Sequence, residues 1–377
     1  MTKKLKVAIV HDWLTGGGAE KVVLALHQMF PDAPIYTSYT TPEWRTRLDD
    51  KVVTGYLGKA PFSKIKKFIP MLRASWFSNL DLSEYDLVIS SSGAEAKGLK
   101  TGPKTIHINY CHAPTHYYWS RYDEYITNPG FGKFDPVARI GLKALVGPMR
   151  RWDYKAAKRP DYIVANSNYT KSQIKKYYDR DATVINPPVD VDKFIQKSGL
   201  AERKGFVIAA RQTPYKRVDL AVMACSNLGL PLRVIGNGPD HARLVSLAGP
   251  TIEFLTNVSD ADLANYFQTA EAFIFPGIDD FGIAPVEAMA AGTPVVAYNA
   301  GGALDYVEES KTGVFFNEQN ADSLEAALKK FKKIKWDHKA VVNKAVQFKP
   351  EVFKVDIREL IDKALAKQNH KIGKFGI

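Results

Sequence analysis

Residues 271–298 read EAFIFPGIDDFGIAPVEAMAAGTPVVAY. Two short apolar runs, EAFIFP (271–276) and TPVVAY (293–298), flank a glycine-bearing turn and a helix-length segment. Strand, turn, helix and strand in that order make the unit from which parallel sheets are built. The rhythm extends outward through GFVIAA (205–210), PLRVIG (231–236), TIEFL (251–255) and TGVFF (312–316). It also runs through the earlier half, in LKVAIV (5–10), DLVISSS (86–92), TIHINYC (105–111), DYIVANS (161–167) and ATVINPP (182–188). The expected fold class is therefore α/β, with two parallel sheets.

A break falls at NPPVDVDKFIQKSGLAERK (186–204), where Pro187, Pro188 and a run of charges interrupt the pattern. The expected domains are residues 1–190, with the closing amphipathic helix of about 351–377, and residues 191–350. A chain of 377 residues suits two cores better than one. With 45% apolar and 24% charged residues, the composition excludes collagen-like and disordered classes.

Cys111 and Cys225 alone make no disulfide framework, which fits a reducing compartment. Only the four residues Val7 to Val10 separate Lys6 from His11, short of a signal peptide's apolar region, so no secretion signal is expected. The stretch from Ile283 to Tyr298 contains Glu287 and falls short of a spanning helix. A cytoplasmic protein with at most peripheral membrane contact is expected.

Four constellations could carry chemistry. Gly16, Gly17 and Gly18 follow the first strand and open a helix, where backbone N–H groups can meet a phosphate or simply make a tight turn. Gly236 and Gly238 in VIGNGPD present the same pair of readings. Arg211 and Lys216 in ARQTPYKRVDLAV lie beyond a strand's C-terminal end, where a planar fork and a point charge could clamp a pyrophosphate. Glu287 sits a turn inside the helix after Asp279, Asp280 and Gly282, suited to hydroxyl groups of a sugar or ribose. Residues 251–310 hold ten acidic residues and no Lys or Arg, an acidic wall beside a cationic clamp, as a nucleotide-sugar would require.

Taken in order, HDWLTGGGAEKVV, YCHAP, ARQTPYKRVDLAV, VIGNGPD, the Asp279-to-Glu287 block and GTPVVAYNAGG resemble glycosyltransferase family 4, and most of all its bacterial polysaccharide mannosyltransferase branch. The resemblance implies a GT-B fold, two Rossmann-like domains with parallel sheets facing a central cleft, the C-terminal helix returning to the first. It implies metal-independent, anomer-retaining transfer without a cofactor, the donor's own phosphate assisting removal of the acceptor proton. On that resemblance Arg211 and Lys216 hold donor phosphates, and Glu287 reads the ribose. Asp279 stands where the family usually has Glu, against the donor sugar. Phe281, Gly282 and Ile283 serve sugar hydroxyls through their N–H groups, while Gly17, Gly18, Gly236 and Gly238 line the donor site. His112 matches a histidine near the transferred sugar, and its neighbours Cys111 and Ala113 offer it no structural partner.

Asp260 and Asp262 in NVSDADLANYF imitate a D-x-D metal motif, but Ser259 followed by acids is what a helix start requires. Asp190 and Asp192 read as turn residues.

The net charge of +12 is uneven: residues 1–200 carry 30 basic and 19 acidic residues, and 201–377 carry 22 and 21. Within KAPFSKIKKFIPMLRASWF (59–77), Lys64, Lys66, Lys67, Phe68, Arg73 and Trp76 are candidates for contact with an anionic membrane surface. Arg150, Arg151 and Trp152 form a second basic, aromatic cluster. No nucleic-acid-reading module accompanies the charge, so nucleic acid is not the expected partner.

The expected activity is hexosyl transfer, mannose from GDP-mannose, to a lipid-linked glycan at the inner face of the cytoplasmic membrane. A UDP-sugar donor and a nucleotide-sugar-binding protein without transfer are the alternatives.

Overall fold

The computed structural model describes residues 5–127, 132–195 and 202–374. The chain divides into two compact units, Met1–Pro188 with Glu351–Ile377, and Val189–Pro350.

The first unit is built on a seven-stranded sheet. Its strands are β1 (Val7–His11), β2 (Ile35–Thr37), β3 (Val52–Val53), β4 (Leu87–Ser92), β5 (Ile106–Cys111), β6 (Tyr162–Ala165) and β7 (Thr183–Val184). They lie in the order β3-β2-β1-β4-β5-β6-β7, with every pairing parallel. All residues of β1, β4 and β5 are buried, as expected of parallel strands covered on both faces. The edge strands are two residues long, which leaves little unpaired backbone exposed. The helix Pro350–Lys374 closes this core with Phe353, Ile357, Ile361 and Ala364, spaced to fall on one helical stripe.

The second unit has six parallel strands: β8 (Phe206–Ala209), β9 (Leu232–Ile235), β10 (Ile252–Leu255), β11 (Ala272–Phe275), β12 (Val295–Tyr298) and β13 (Gly313–Phe316). Their order is β10-β9-β8-β11-β12-β13. Apolar side chains cover both faces, one cluster centred on Phe267, Phe273 and Met289 and the other on Phe206, Leu220 and Leu328.

The sequence reading located all strands except β2 and β3, which are three and two residues long. In both sheets the strand order reverses once, between β1 and β4 and between β8 and β11. Loops leaving the C-terminal ends of the strands at such a switch point diverge to opposite faces and open a crevice for a ligand.

Candidate active site

At the switch point of the second unit, β8 runs into Arg211, Gln212 and Thr213 and then into a single tight turn, Pro214–Lys216. Arg217 adopts a left-handed conformation, φ 52°, before the helix Val218–Asn227 begins. Arg211 is exposed. Lys216 reaches across the switch point to the loop after β11 and pairs with the carboxylate of Asp279, both side chains being mostly buried. The cation and the acid therefore sit together at the strand ends, and a phosphate arriving there would meet a lysine already oriented by a carboxylate.

The loop after β11 ends at Gly282, φ 88°, which starts the helix Ile283–Ala290 without a side-chain cap. Gly282 itself has no side chain to cap the first N–H groups of that helix, donors of the kind that an oxygen-rich ligand can accept from. Phe281 is buried, and its carbonyl accepts from Tyr306 Oη at 3.0 Å. Gly302 N donates to Asp279 O at 2.8 Å, fixing the backbone beneath the acid. Glu287 is 8% exposed on the second turn of the helix.

Gly236 and Gly238 have a packing reason to be glycine. A Cβ on Gly236 would stand 2.2 Å from Ala210 O, and one on Gly238 would stand 2.2 Å from Gln212 O. Their loop lies directly on the loop carrying Arg211. The residue knitting the two together, missed in the sequence, is Gln212, which is wholly buried. Its Nε2 donates to Gly236 O at 2.8 Å, its Oε1 accepts from His241 Nδ1 at 2.7 Å, and its backbone exchanges bonds with Asn237 and Asp240. Flanked by Arg211 and Thr213, it reads in sequence as an ordinary loop residue.

In the first unit, β1 and β4 are paired so that His11 lies opposite Ser91. His11 Nδ1 is 2.8 Å from Ser91 O and 3.1 Å from Ser91 Oγ, and Ser91 Oγ is 2.7 Å from His112 Nε2. The expectation that His112 lacks a structural partner is therefore corrected: its neighbours in sequence give it none, but Ser91, one strand away, does. Asn166 Nδ2 also donates to His112 O at 2.9 Å. Asp12 accepts from the N–H groups of Gly93, Ala94 and Ala96 at 2.8–2.9 Å, tying down the loop that follows β4. Beneath it Lys97 and Asp153, both fully buried, pair at 2.7 Å. Burial alone would depress the Lys97 ammonium, but Asp153 outweighs it and holds the pKa above its ordinary value.

Around the glycine cluster, Glu20 accepts from Thr15 N at 3.1 Å and Gly16 N at 2.9 Å. A carboxylate of the chain itself thus takes two N–H groups of this turn, while Gly17 and Gly18 lead into the helix Gly18–Met29.

Two membrane-contact candidates are corrected. Arg73 is 2% exposed and forms a two-pronged pair with Glu95 at 3.0 and 3.1 Å, while Trp76 packs in the core beside Phe77 and Val88. The helix Pro70–Ser78 turns these two residues inward, a choice that residue type alone does not reveal. Lys64 and Phe68 are exposed, Phe68 at 51%, next to exposed Ile65, Met71 and Leu72. Lys66 Nζ lies 3.6 Å from the centroid of the Tyr39 ring, and the Lys67 side chain falls outside the described residues. In the second basic cluster, Arg150 donates to Tyr118 O and covers the Trp119 and Tyr122 rings, and Trp152 packs against Gly98.

Ser259 Oγ accepts from Asp262 N at 3.1 Å, and Asp260 pairs with Lys193, the arrangement of a helix start. Among the described residues, no three acidic, histidine or cysteine side chains converge as a metal site, and no helix is long and apolar enough to cross a membrane.

Two family models match the chain: "Glycosyltransferase Family 4" over residues 16–193 and "Glycosyl transferases group 1" over residues 190–365. A GDP-mannose-dependent alpha-(1-6)-phosphatidylinositol monomannoside mannosyltransferase from Mycobacterium tuberculosis is 28% identical over 198 residues, 45% of this chain and 51% of its own. The chain thus spans about half the length of that relative. Alpha-1,3/1,6-mannosyltransferase ALG2 from Dictyostelium discoideum is 24% identical across 92% of this chain and 96% of its own. Among solved structures, Anabaena HepE in complex with UDP-glucose superposes with a TM-score of 0.66 at 16% identity, covering 96% of this chain and all of that one. With two parallel α/β units, a cation–carboxylate pair at the switch point of the second and both family models in tandem, the chain is a GT-B glycosyltransferase of family 4.

Proposed function

We propose that the chain transfers mannose from GDP-mannose, with retention of anomeric configuration, to a lipid-linked glycan acceptor. The observation that carries the reading is the Lys216–Asp279 pair at the β8–β11 switch point, beside exposed Arg211 and eight residues before Glu287. Arg211 and Lys216 take the diphosphate, spreading the charge that builds on the leaving group. Asp279 and the N–H groups of Phe281, Gly282 and Ile283 take sugar hydroxyls, and Glu287 takes the ribose. His112 approaches the transferred sugar. A donor phosphate oxygen accepts the acceptor's proton, so the reaction asks for neither a cofactor nor a strong protein base.

The Mycobacterium tuberculosis and Dictyostelium discoideum relatives, both mannosyltransferases, support mannose. The UDP-glucose bound by HepE supports a UDP-sugar as the second choice. Exposed Ile65, Phe68, Met71 and Leu72 beside Lys64 support docking on an anionic membrane at the cytoplasmic face.

Thermal-shift titration against GDP-, UDP- and ADP-sugars tests the donor. GDP-mannose should stabilise the wild type most, and Arg211→Ala and Lys216→Ala should lose the shift. An equal shift in those variants, or none with any nucleotide-sugar, would sink the reading.

A further inference from the structure

The hydrogen-bond chain His11–Ser91–His112 has a direction. A carbonyl oxygen can only accept, so the 2.8 Å contact between His11 Nδ1 and Ser91 O places a proton on His11 Nδ1. That same N–H is 3.1 Å from Ser91 Oγ, where it approaches a lone pair. The Ser91 hydroxyl proton is then the one directed along the 2.7 Å contact to His112 Nε2. We infer that Ser91, oriented by His11, is a positioning residue that holds neutral His112 with Nε2 bare and the proton on Nδ1. In that tautomer Nδ1–H is a hydrogen-bond donor and cannot act as a base.

The surroundings keep this arrangement in register. Ser91 is fully buried in β4, between β1 and β5. The His112 backbone is fixed at both ends, its N–H on Ser92 O at 2.9 Å and its carbonyl on Asn166. The His11 and Tyr110 rings approach the His112 ring at 6.2 and 5.2 Å between centroids, leaving it little freedom to flip. An isolated neutral imidazole prefers its proton on Nε2, so the opposite tautomer would be a property imposed by the fold.

The kinetic consequence rests on the transferase reading above, whereas the tautomer does not. The test is a long-range proton–nitrogen NMR spectrum of the whole protein labelled with nitrogen-15 histidine, recorded at alkaline pH. His112→Gln identifies the resonances of His112. The wild type should show Nδ1 protonated, Ser91→Ala should move the proton toward Nε2, and Ser91→Thr, which keeps the hydroxyl, should keep the wild-type pattern. With GDP-mannose and a lipid acceptor extract, Ser91→Ala should lower kcat/KM about tenfold, as loss of one well-placed hydrogen bond would, and Ser91→Thr should restore it. A wild-type His112 protonated on Nε2, or a tautomer indifferent to Ser91→Ala, overturns the inference. Absence of transfer by the wild type overturns the transferase reading and leaves the tautomer assignment standing.

Discussion

Lys216 donates to the carboxylate of Asp279, joining the loops that leave β8 and β11 on either side of the second unit's switch point. A diphosphate at this position would compete with Asp279 for the same ammonium. Lys216→Ala should therefore lower kcat/KM for the donor about a hundredfold, the usual effect of removing one preorganised charge-stabilising donor. Asp279→Asn should separate the two roles: nucleotide diphosphate binds more tightly because the competitor is gone, while turnover falls because the sugar contact is lost. Calorimetry with GDP and steady-state kinetics on the same preparations read both, and weaker GDP binding by Asp279→Asn would contradict the competition.

Glu287 is buried on the helix that begins without a cap. If its carboxylate reads ribose hydroxyls, Glu287→Gln should weaken GDP binding about tenfold yet leave affinity for a dideoxyribose analogue nearly unchanged, since a charge-assisted hydrogen bond is worth about 1.5–3 kcal/mol. Equal losses for both nucleotides would show that Glu287 acts on the fold and not on the sugar.

Arg73 and Phe68 lie five positions apart and should behave in opposite ways. Arg73→Ala strands the fully buried Glu95 without its cation, which should cost roughly 3–5 kcal/mol of stability in denaturant titration. Replacing Phe68 and Met71 together by Ala removes surface apolar groups that are 51% and 53% exposed. Stability should hardly change, while retention on anionic vesicles at low salt should fall. Undiminished vesicle binding by the double variant would remove the membrane role from this surface.

His107 supplies a pH dependence. It is fully buried, with Nε2 2.8 Å from Ser90 Oγ, and burial, aided by the nearby charges of Arg159 and Arg180, lowers its pKa to about 3. A histidine depressed in the folded state is neutral there while the unfolded chain takes up a proton below its ordinary value near 6.5. Its contribution is therefore complete above about pH 6.5 and is lost as pH falls toward 3, at about 1.4 kcal/mol per pH unit. His107→Gln should flatten the fall in the melting temperature across that window. A parallel fall in variant and wild type would contradict the assignment.

The parts of this architecture that were legible in the sequence are those that repeat locally. The parallel strands announce themselves as short β-branched runs, and Arg211, Lys216, Asp279 and Glu287 follow strand ends at fixed short distances. What escaped depends on partners far along the chain. Glu95 turns Arg73 inward across 22 positions, and Ser91 reaches His112 across a sheet pairing that no local pattern encodes. Gln212 is silent for the same reason, because its bonds go to Gly236 and His241 on the neighbouring strand's loop. Gly236 and Gly238 were legible as special positions, but the carbonyl groups they must pass are visible only in three dimensions.

The most direct test of the central claim is the product. Wild-type protein incubated with GDP-mannose and a lipid-linked acceptor extract should release GDP and form one new mannosyl linkage whose anomeric proton and carbon signals report the α configuration of the donor. A β-linked product, or GDP-mannose bound but never transferred to any lipid acceptor, would contradict the account.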